Sequence, residues 1–291
     1  MNLPAPTSLV LLATVLLGGA PSSPLPRQPR RPPLPRAERF SALVLECLRA
    51  YPTDGRHGYL WPRKKEDRVA GWAGNTGEMR YRGVRIARAH PKGCCYCCGL
   101  TFELFFRAWR AWCRQERKPF RILDLDPEGL RHLRRHWFGA NGDLTCAAGA
   151  ITAAGLGFPV KMEKAKPGDF IQFWRHTGSG HSVVFCGWVR DGRGGITGLR
   201  YWSTQKATGG IGRRTERIGE PRGIDRERIH IARVGRRVPP AAEGEKDRPA
   251  KEKAGEKERR GATGKGGSVK KAGAGTGKVK ADQGSGGKEE G

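Results

Sequence analysis

Apolar residues recur at helical spacing in several segments of the first half of the chain. Residues 37–50 place apolar side chains three and four positions apart, which predicts an amphipathic helix. A second pattern runs from residue 98 to about 114 and combines a broad apolar stripe with arginines on the opposite side. Residues 126–137 begin with an Asp-Pro-Glu start signal, and residues 144–156 are rich in small residues. Each of these segments is predicted to be a helix.

Strand patterns dominate after these helices. Residues 166–174 are typical of a turn followed by a strand, and residues 180–188 are typical of its antiparallel partner across a loop of Gly and Ser. Residues 199–205 follow a glycine-rich turn and predict a further strand. Residues 81–87 predict a short strand inside 51–91, which we expect to be an irregular layer beside a site. Helices followed by antiparallel strands indicate an α+β fold.

The two ends of the chain lack this patterning. Residues 8–20 form a 13-residue apolar run, too short for a comfortable membrane span, so residues 1–20 are predicted to be a signal peptide, with an uncleaved anchor as the alternative. Residues 21–38 form a Pro- and Arg-rich linker. Residues 236–291 have almost no large apolar side chains and are predicted to be a disordered tail rich in Lys, Gly and Glu. A single core domain is expected at residues 39–235.

The strongly positive net charge favours anionic partners but does not identify one. The formal net charge is +27, which favours polyanions such as nucleic acid, an anionic membrane surface or anionic cell-wall polymers. No specific nucleic-acid motif is visible, so we expect the basic flanks to contact anionic envelope polymers. Nothing in the composition predicts an oligomeric state.

Half of the eight cysteines are crowded into residues 94–98, immediately before the second predicted helix. A helix N-terminus stabilises a thiolate and lowers the pKa of a cysteine there, which favours a nucleophile. The overlapping Cys-x-x-Cys spacings also fit a redox dithiol or half of a zinc site. The other cysteines are not spaced as a second half. Cys113 is expected to be packing or half of a disulfide, and the extra thiols of the cluster can also pair with one another or with Cys146 and Cys186.

Two groups of histidines are candidates for a base or a ligand. His132 and His136 are four residues apart, but no third ligand accompanies them and the neighbouring arginines repel a cation, which favours a surface helix over a metal site. His181 opens the second predicted strand after a glycine. Alternation places it on the same face as Val183 and Phe185, so the imidazole should project beside core residues.

This order of features resembles the NlpC-type and CHAP-type amidases of the papain-like cysteine hydrolase superfamily. The chain presents a cysteine followed by Gly99-Leu100 at a helix start, then a Pro-Gly-Asp strand, a Gly-His strand and a strand with polar residues. The resemblance covers about residues 40–219. It implies a papain-like α+β fold, with N-terminal helices packed on a small antiparallel sheet. Tyr96 stands where that family has Asp, and a long segment separates helix and sheet, which leaves the substrate open.

The resemblance also implies roles for individual residues. Cys97 matches the nucleophile and His181 the base, while Gln205 matches the polar residue that orients the base. Ser203 is the alternate for that third position, and Cys98 is the alternate nucleophile. Tyr59 is only a loose counterpart of a tyrosine that the family carries before its cysteine and is not counted among the predicted site residues.

The expected function is therefore that of a cysteine peptidase or amidase acting through an acyl-enzyme. Its substrate would be a peptide or a peptidoglycan-like molecule, and its location the cell envelope or the secreted fraction. No cofactor and no metal are predicted. The alternative is a non-catalytic module on the same fold that binds the envelope or another polyanion.

Overall fold

The computed structural model describes residues 33–237 of the chain. The predicted leader at 1–20, most of the linker at 21–38 and nearly all of the tail at 236–291 lie outside these residues. Within the described part, the helices are α1 (Ala37–Arg49), α2 (Cys97–Gln115), α3 (Pro127–Trp137) and α4 (Ala147–Ala153). The strands are β1 (Met79–Tyr81), β2 (Val84–Ala87), β3 (Gly157–Pro159), β4 (Phe170–Arg175), β5 (Gly180–Arg190), β6 (Ile196–Gln205), β7 (Gly210–Arg217) and β8 (Ile224–Val234).

The main sheet has six strands in the order β3-β8-β4-β5-β6-β7, and all its neighbouring strands are antiparallel. The predicted α+β class is confirmed, with the helices preceding this sheet in the chain. No helix within residues 33–237 is long and apolar enough to cross a membrane.

Residues 79–87 form a hairpin, whereas the sequence predicted a single short strand at 81–87. β1 and β2 pair with each other and stand apart from the main sheet. The turn between them carries positive φ at both Arg82 (50°) and Gly83 (80°). Two consecutive residues with positive φ suit the right-handed twist of a tight hairpin. Arginine in the first of these positions gives no sequence signal for a turn, which is why the break was missed.

The fourth helix is shorter than predicted. The small-residue pattern suggested 144–156, whereas α4 begins only at Ala147. The residue before it, Cys146, has φ 45° and ψ −114°, a backbone conformation that cannot continue a helix toward the N-terminus. The predicted helices at 37–50 and 98–114 agree with α1 and α2 to within one residue at each end.

Two apolar clusters lie on the two faces of the main sheet. Helices α1 to α4 pack on one face against residues that include Phe170, Val184 and Trp202. The other face buries its own cluster, which includes Phe173 and Tyr201. Since adjacent residues of a strand point to opposite faces, each central strand contributes to both clusters. This arrangement fixes α2 against β5 and β6, where the predicted site residues lie.

A buried ion pair joins the Pro-Gly-Asp turn to the last strand. Asp169 is fully buried, and its carboxylate accepts hydrogen bonds from the Arg233 guanidinium at 2.7 and 2.9 Å and from the Lys166 N–H at 2.8 Å. Burial raises the pKa of Asp169, although these partners act to lower it. The desolvation cost of the carboxylate is therefore large, and the pair is sensitive to the loss of either member.

We expect Asp169→Asn to lower the free energy of unfolding by about 3 kcal/mol, because it leaves the Arg233 charge without its counter-ion in a buried position. Chemical denaturation followed by circular dichroism measures this change. Asp124→Asn is the matched control: Asp124 is exposed, and its replacement should change stability by less than about 0.5 kcal/mol. Equal stabilities of the two variants would contradict a structural role for the pair.

Candidate active site

A cavity of about 300 Å³ opens at the start of α2. Cys97, Cys98 and His181, which the sequence predicted as site residues, all line it. The walls also include side chains from three other segments of the chain: Tyr59 and Trp61, Phe138, and Gln172 and Trp174. The structure thus brings together thiols and an imidazole that are more than eighty residues apart in the sequence.

Cys97 is the first residue of α2, one position earlier than the predicted helix start. Tyr96 is the extended N-cap residue, and its carbonyl accepts the N–H of Leu100 at 2.9 Å. The N–H groups of the first turn, beginning at Cys97, therefore have no partner within the helix and point toward the helix start. Such groups can stabilise negative charge at the sulfur or on a bound oxygen.

The Gly99-Leu100 pair has a packing explanation. A Cβ atom on Gly99 would lie 2.1 Å from the carbonyl oxygen of Ala73, so only glycine allows this approach. Leu100 is fully buried in the apolar cluster between the helices and the main sheet, which we call the main cluster. Together they pack the first turn of α2 against the segment that contains Ala73. This packing sets the position of Cys97 in the cavity.

A hydroxyl network ties the same turn to β5. The Thr101 hydroxyl donates to the Cys97 carbonyl at 3.0 Å, and its oxygen accepts hydrogen bonds from the Ser182 hydroxyl at 2.8 Å and the Trp137 indole at 3.1 Å. Ser203 was the alternate for the residue that orients the base. Instead, its hydroxyl donates to the Ser182 carbonyl at 2.8 Å. Ser203 therefore supports the strand next to His181, and the structure does not place it against the imidazole.

Gln205 is the residue that contacts the imidazole. Its side-chain oxygen lies 3.1 Å from Nε2 of His181. The amide group is oriented by Thr208, whose hydroxyl lies 2.6 Å from the Gly210 carbonyl and donates to it. The same hydroxyl oxygen then accepts from the Gln205 amide NH2 at 2.7 Å. With its NH2 directed to Thr208, Gln205 presents an acceptor to His181, so Nε2 carries a proton and Nδ1 is free to exchange one with a thiol.

Aromatic rings hold the imidazole in place. The His181 ring is 5% exposed and packs edge-on against Phe173 and Tyr201, with centroid distances of 5.7 and 5.6 Å. It shares this face with Val183 and Phe185, as alternation predicted. That face, however, is the one opposite the helices. His181 reaches the same cavity as Cys97 because it is only the second residue of β5, at the end of that strand.

Cys97 and Cys98 have opposite electrostatic environments. Their sulfurs are 3.7 Å apart. The Cys98 thiol, acting as a hydrogen-bond donor, lowers the pKa of Cys97 well below its usual range; the charge and hydrogen bond of His181 and the Ser182 N–H act in the same direction, and burial opposes them. The adjacent Cys97 sulfur and burial raise the pKa of Cys98 well above its usual range. The pair therefore loses its first proton at Cys97.

Several residues at the cavity were not predicted as functional. Cys146, interpreted as structural, lines the cavity in its strained conformation, and burial raises its pKa to about 11. Gln172 and Trp174 lie on the strand before His181, and Arg63 stands at the wall beside Tyr59. Burial, together with the two cavity thiols, raises the pKa of Tyr59 to about 12. A period-two pattern marks Gln172 and Trp174 as neighbours on one strand face, but no local signal distinguishes the others.

The alternatives for the cysteine cluster can be compared with this geometry. All eight cysteines lie within residues 33–237, and each is a free thiol in the structure. Among the described residues no group of three or more His, Cys, Asp or Glu side chains is arranged to hold a metal ion. His136 instead lies 2.6 Å from a carboxylate oxygen of Asp143, a hydrogen bond that the sequence did not indicate.

Comparisons with protein-family models, with curated proteins and with solved structures gave no match to this chain. The functional argument therefore depends on the geometry of the site.

Proposed function

We propose that the protein is a thiol-dependent amidase or endopeptidase with a papain-like arrangement of nucleophile and base. The observation that supports this most strongly is the combination, in one cavity, of a low-pKa cysteine at a helix N-terminus and a buried histidine whose far nitrogen is held by an amide oxygen. Nucleophile, base and orienting group in this order are the elements of a catalytic triad. Cys97, His181 and Gln205 fill those positions.

The reaction begins with attack of the Cys97 thiolate on the carbonyl carbon of a bound amide. The carbonyl oxygen becomes negatively charged, and the free N–H groups of the first turn of α2 stabilise it. The protonated imidazole of His181 gives its proton to the departing amine, which leaves an acyl group on the sulfur. His181 then accepts a proton from water, whose oxygen attacks the thioester. The products are an amine and a carboxylic acid, and the pair of Cys97 thiolate and protonated His181 is restored.

The remaining cavity residues support a peptide substrate. Tyr59, Trp61 and Trp174 offer aromatic surface, and Trp61 is 47% exposed at the cavity. The Trp174 indole is fixed by donation to the Leu144 carbonyl at 2.8 Å. Arg63 adds a positive charge suited to a carboxylate on the substrate. A peptide from the cell wall, with amide bonds and carboxylates, has this chemistry, and the predicted leader and basic flanks agree with a secreted enzyme that acts at an anionic envelope.

The proposal is tested by the pH dependence of alkylation. We expect iodoacetamide to modify one cysteine, Cys97, at a rate that falls much less from pH 8 to pH 6 than the rate of a model thiol, because the lowered pKa of Cys97 keeps more of its thiolate populated as the pH falls. A cysteine with the ordinary pKa of about 8.5 loses roughly 80-fold of its thiolate over that range. Peptide mapping by mass spectrometry identifies the modified residue, and a model thiol is measured in parallel.

The same preparation is then tested on a panel of peptidoglycan fragments and general peptide amides. Release of amines that stops after alkylation of Cys97 is the expected result. If Cys97 is modified no faster than the model thiol at pH 6, the nucleophile is assigned wrongly. If fragments bind but none is hydrolysed, the chain is the non-catalytic envelope-binding module.

A further inference from the structure

A second cavity, of about 290 Å³, lies on the main sheet away from His181 and Cys97. Its lining includes Cys186 of β5, Arg200 of β6, and Arg213 and Thr215 of β7. These strands are neighbours in the sheet, and the register pairs Arg200 with Thr215 directly. The cavity is thus formed by side chains at neighbouring register positions on three adjacent strands.

These side chains share the face of the sheet on which the helices pack. Trp202 and Ile211 belong to the main cluster on that face, and Arg200 and Arg213 each lie two residues away along the same strand. Since side chains alternate along a strand, both arginines project from the helix-covered face. They lie where the helices no longer cover it, and both are exposed.

The Arg200 side chain lies over a glycine of the neighbouring strand β5. The ladder between β5 and β6 is irregular between Phe185 and Gly187, and Arg200 pairs with Gly187 just beyond this bulge. A Cβ atom on Gly187 would lie only 3.0 Å from a terminal nitrogen of the Arg200 guanidinium. The guanidinium therefore lies over bare backbone, where the Cβ atom of another residue would be in tight contact with it.

The charge in this cavity is not balanced within the described part of the chain. No Asp or Glu among residues 33–237 lines it. The acidic residue closest in sequence, Glu216, accepts hydrogen bonds from Arg175 and from the Tyr201 hydroxyl, and alternation places it on the other face. Burial raises the pKa of the Cys186 thiol, and the only charged groups that act on it are Arg213 and Arg200, which lower it. Arg214 and Tyr201 also line the cavity, but alternation directs their side chains to the other face of the sheet. The helix-covered face therefore presents two guanidinium groups, a hydroxyl and a thiol to the open cavity, without a carboxylate.

We propose that this cavity binds a phosphate group of a soluble molecule, with Arg200 and Arg213 as the charged donors and the Thr215 hydroxyl as a neutral one. Planar guanidinium groups match the oxygens of phosphate in pairs, and charge-assisted hydrogen bonds of this kind are the strong ones. A hydroxyl beside them adds a donor without adding charge. The site takes an inorganic polyphosphate or a small phosphorylated metabolite.

A lipid surface fits the cavity less well. The exposed large apolar side chains of the described residues are Trp61, Val84 and Leu144, and none of them lines this cavity. A peripheral membrane site gains much of its affinity from apolar side chains that enter the interface. The cavity is concave and polar at its rim, which suits a discrete phosphate group. It is about 16 Å from His181 along β5, at about 3.3 Å per residue, so its occupancy does not depend on the proposed hydrolase chemistry.

Isothermal titration of the full chain with inorganic pyrophosphate tests the site. We expect Arg200→Gln/Arg213→Gln to weaken binding at least 50-fold, since each charged hydrogen-bond donor contributes about tenfold. Arg200→Lys, which keeps the charge but removes the planar fork, should weaken it by several-fold. Arg193→Gln/Arg222→Gln removes the same charge from exposed turns at the sheet ends and should leave the affinity within about twofold.

Three results would overturn the proposal. Pyrophosphate that does not bind the wild-type chain excludes the site. Equal weakening in both double variants shows that net charge alone attracts the anion. Loss of binding to phosphatidic acid vesicles in the cavity variant, without any pyrophosphate binding to the wild type, assigns the surface to a lipid headgroup instead. All the replaced arginines are exposed, and unchanged circular dichroism spectra confirm that the variants are folded.

Discussion

Cys97→Ala is expected to reduce amide hydrolysis at least about 10⁴-fold, while substrate binding is retained. The thiolate forms the covalent bond in the proposed mechanism, and the remaining groups of the site can only bind and polarise the amide. Turnover of the best substrate from the peptide panel measures the loss, and equilibrium dialysis of the same substrate measures binding. A methyl group in place of the thiol is tolerated at this position because Cys97 is buried among apolar neighbours.

Cys98 provides the matched control. Cys98→Ser keeps a hydrogen-bond donor beside the Cys97 sulfur, so activity should remain within about threefold of the wild type. Cys98→Ala removes the donor that does most to lower the pKa of Cys97, so it should raise that pKa. A higher pKa means that the Cys97 thiolate is protonated at a higher pH. The alkylation and hydrolysis rates of Cys98→Ala should therefore fall more steeply than those of the wild type as the pH decreases.

The assignment of the nucleophile can fail in two ways. If Cys98→Ser is inactive and Cys97→Ala is active, the nucleophile is the neighbouring residue. If both single variants retain activity and Cys146→Ala loses it, the thiol at the strained position before α4 carries the chemistry. Both outcomes keep a thiol mechanism and change only the residue.

The sequence predicted Cys97 and His181 as residues of one site, and the structure places both at one cavity. The choice of Cys97 over Cys98 came from the family resemblance and not from periodicity. Cys97 and Cys98 both begin apolar stripes of the same helix, and nearly the whole first turn is buried, so periodicity cannot choose between them. The choice depends on the contact of Gly99 with Ala73 and on the hydroxyl network through Thr101, which are long-range contacts. The packing of α2 on other segments therefore sets the register of Cys97 and Cys98, which the periodicity of the helix could not.

The strand with His181 was predictable for a different reason. A glycine before a run of β-branched and aromatic residues marks a strand start, and His181 follows such a glycine. Alternation also places Gln205 on one face of its predicted strand, and the family resemblance suggested it as the residue that orients the base. Alternation could not separate Gln205 from Ser203, since both are polar and alternate on one strand, and only the observed hydrogen bonds assign them to His181 and Ser182 respectively.

Three strands of the main sheet, β3, β7 and β8, were not predicted from the sequence. β3 has only three residues, Gly157–Pro159, and is too short to show an alternating pattern. β7 and β8 are rich in arginine and other charged residues, so their apolar positions are too few to give a clear alternation. β7 is an edge strand, and three of its eight residues are exposed. Thr208 was missed with them because it lies in a short 3-10 turn, Lys206–Thr208, between β6 and β7. The phosphate cavity and the group that orients Gln205 both belong to this region.

Gln205→Met is expected to lower kcat/KM by about 10²- to 10³-fold without unfolding the protein. Methionine has a similar length but no acceptor for Nε2 of His181, so the neutral imidazole no longer has a fixed tautomer. Loss of the correct tautomer costs up to about 10⁴-fold where a carboxylate orients the base. A neutral amide holds the ring less strongly, which sets the smaller range. Gln205 is a positioning residue, so KM should change much less than kcat.

Thr208 tests whether the orientation of Gln205 is the cause. Thr208→Val is nearly isosteric but removes the acceptor for the Gln205 NH2, and with it the reason for the amide oxygen to face His181. We expect a loss of about tenfold in kcat, since the amide can then turn over. Thr208→Ser keeps the hydroxyl and should stay within about twofold of the wild type.

The tautomer itself can be observed. In a Cys97→Ala background the imidazole has no thiolate partner, and nitrogen-15 NMR of the His181 side chain distinguishes a proton on Nε2 from one on Nδ1. We expect the Nε2–H form in Cys97→Ala alone and a mixture of the two forms after addition of Thr208→Val. A single unchanged tautomer together with a tenfold loss in kcat would mean that Thr208 supports the turn after β6 and does not act through Gln205. If Thr208→Val changes neither the tautomer nor kcat, Thr208 has no part in orienting the base. In that case the Gln205 oxygen stays on His181 without the hydrogen bond between the Gln205 NH2 and Thr208.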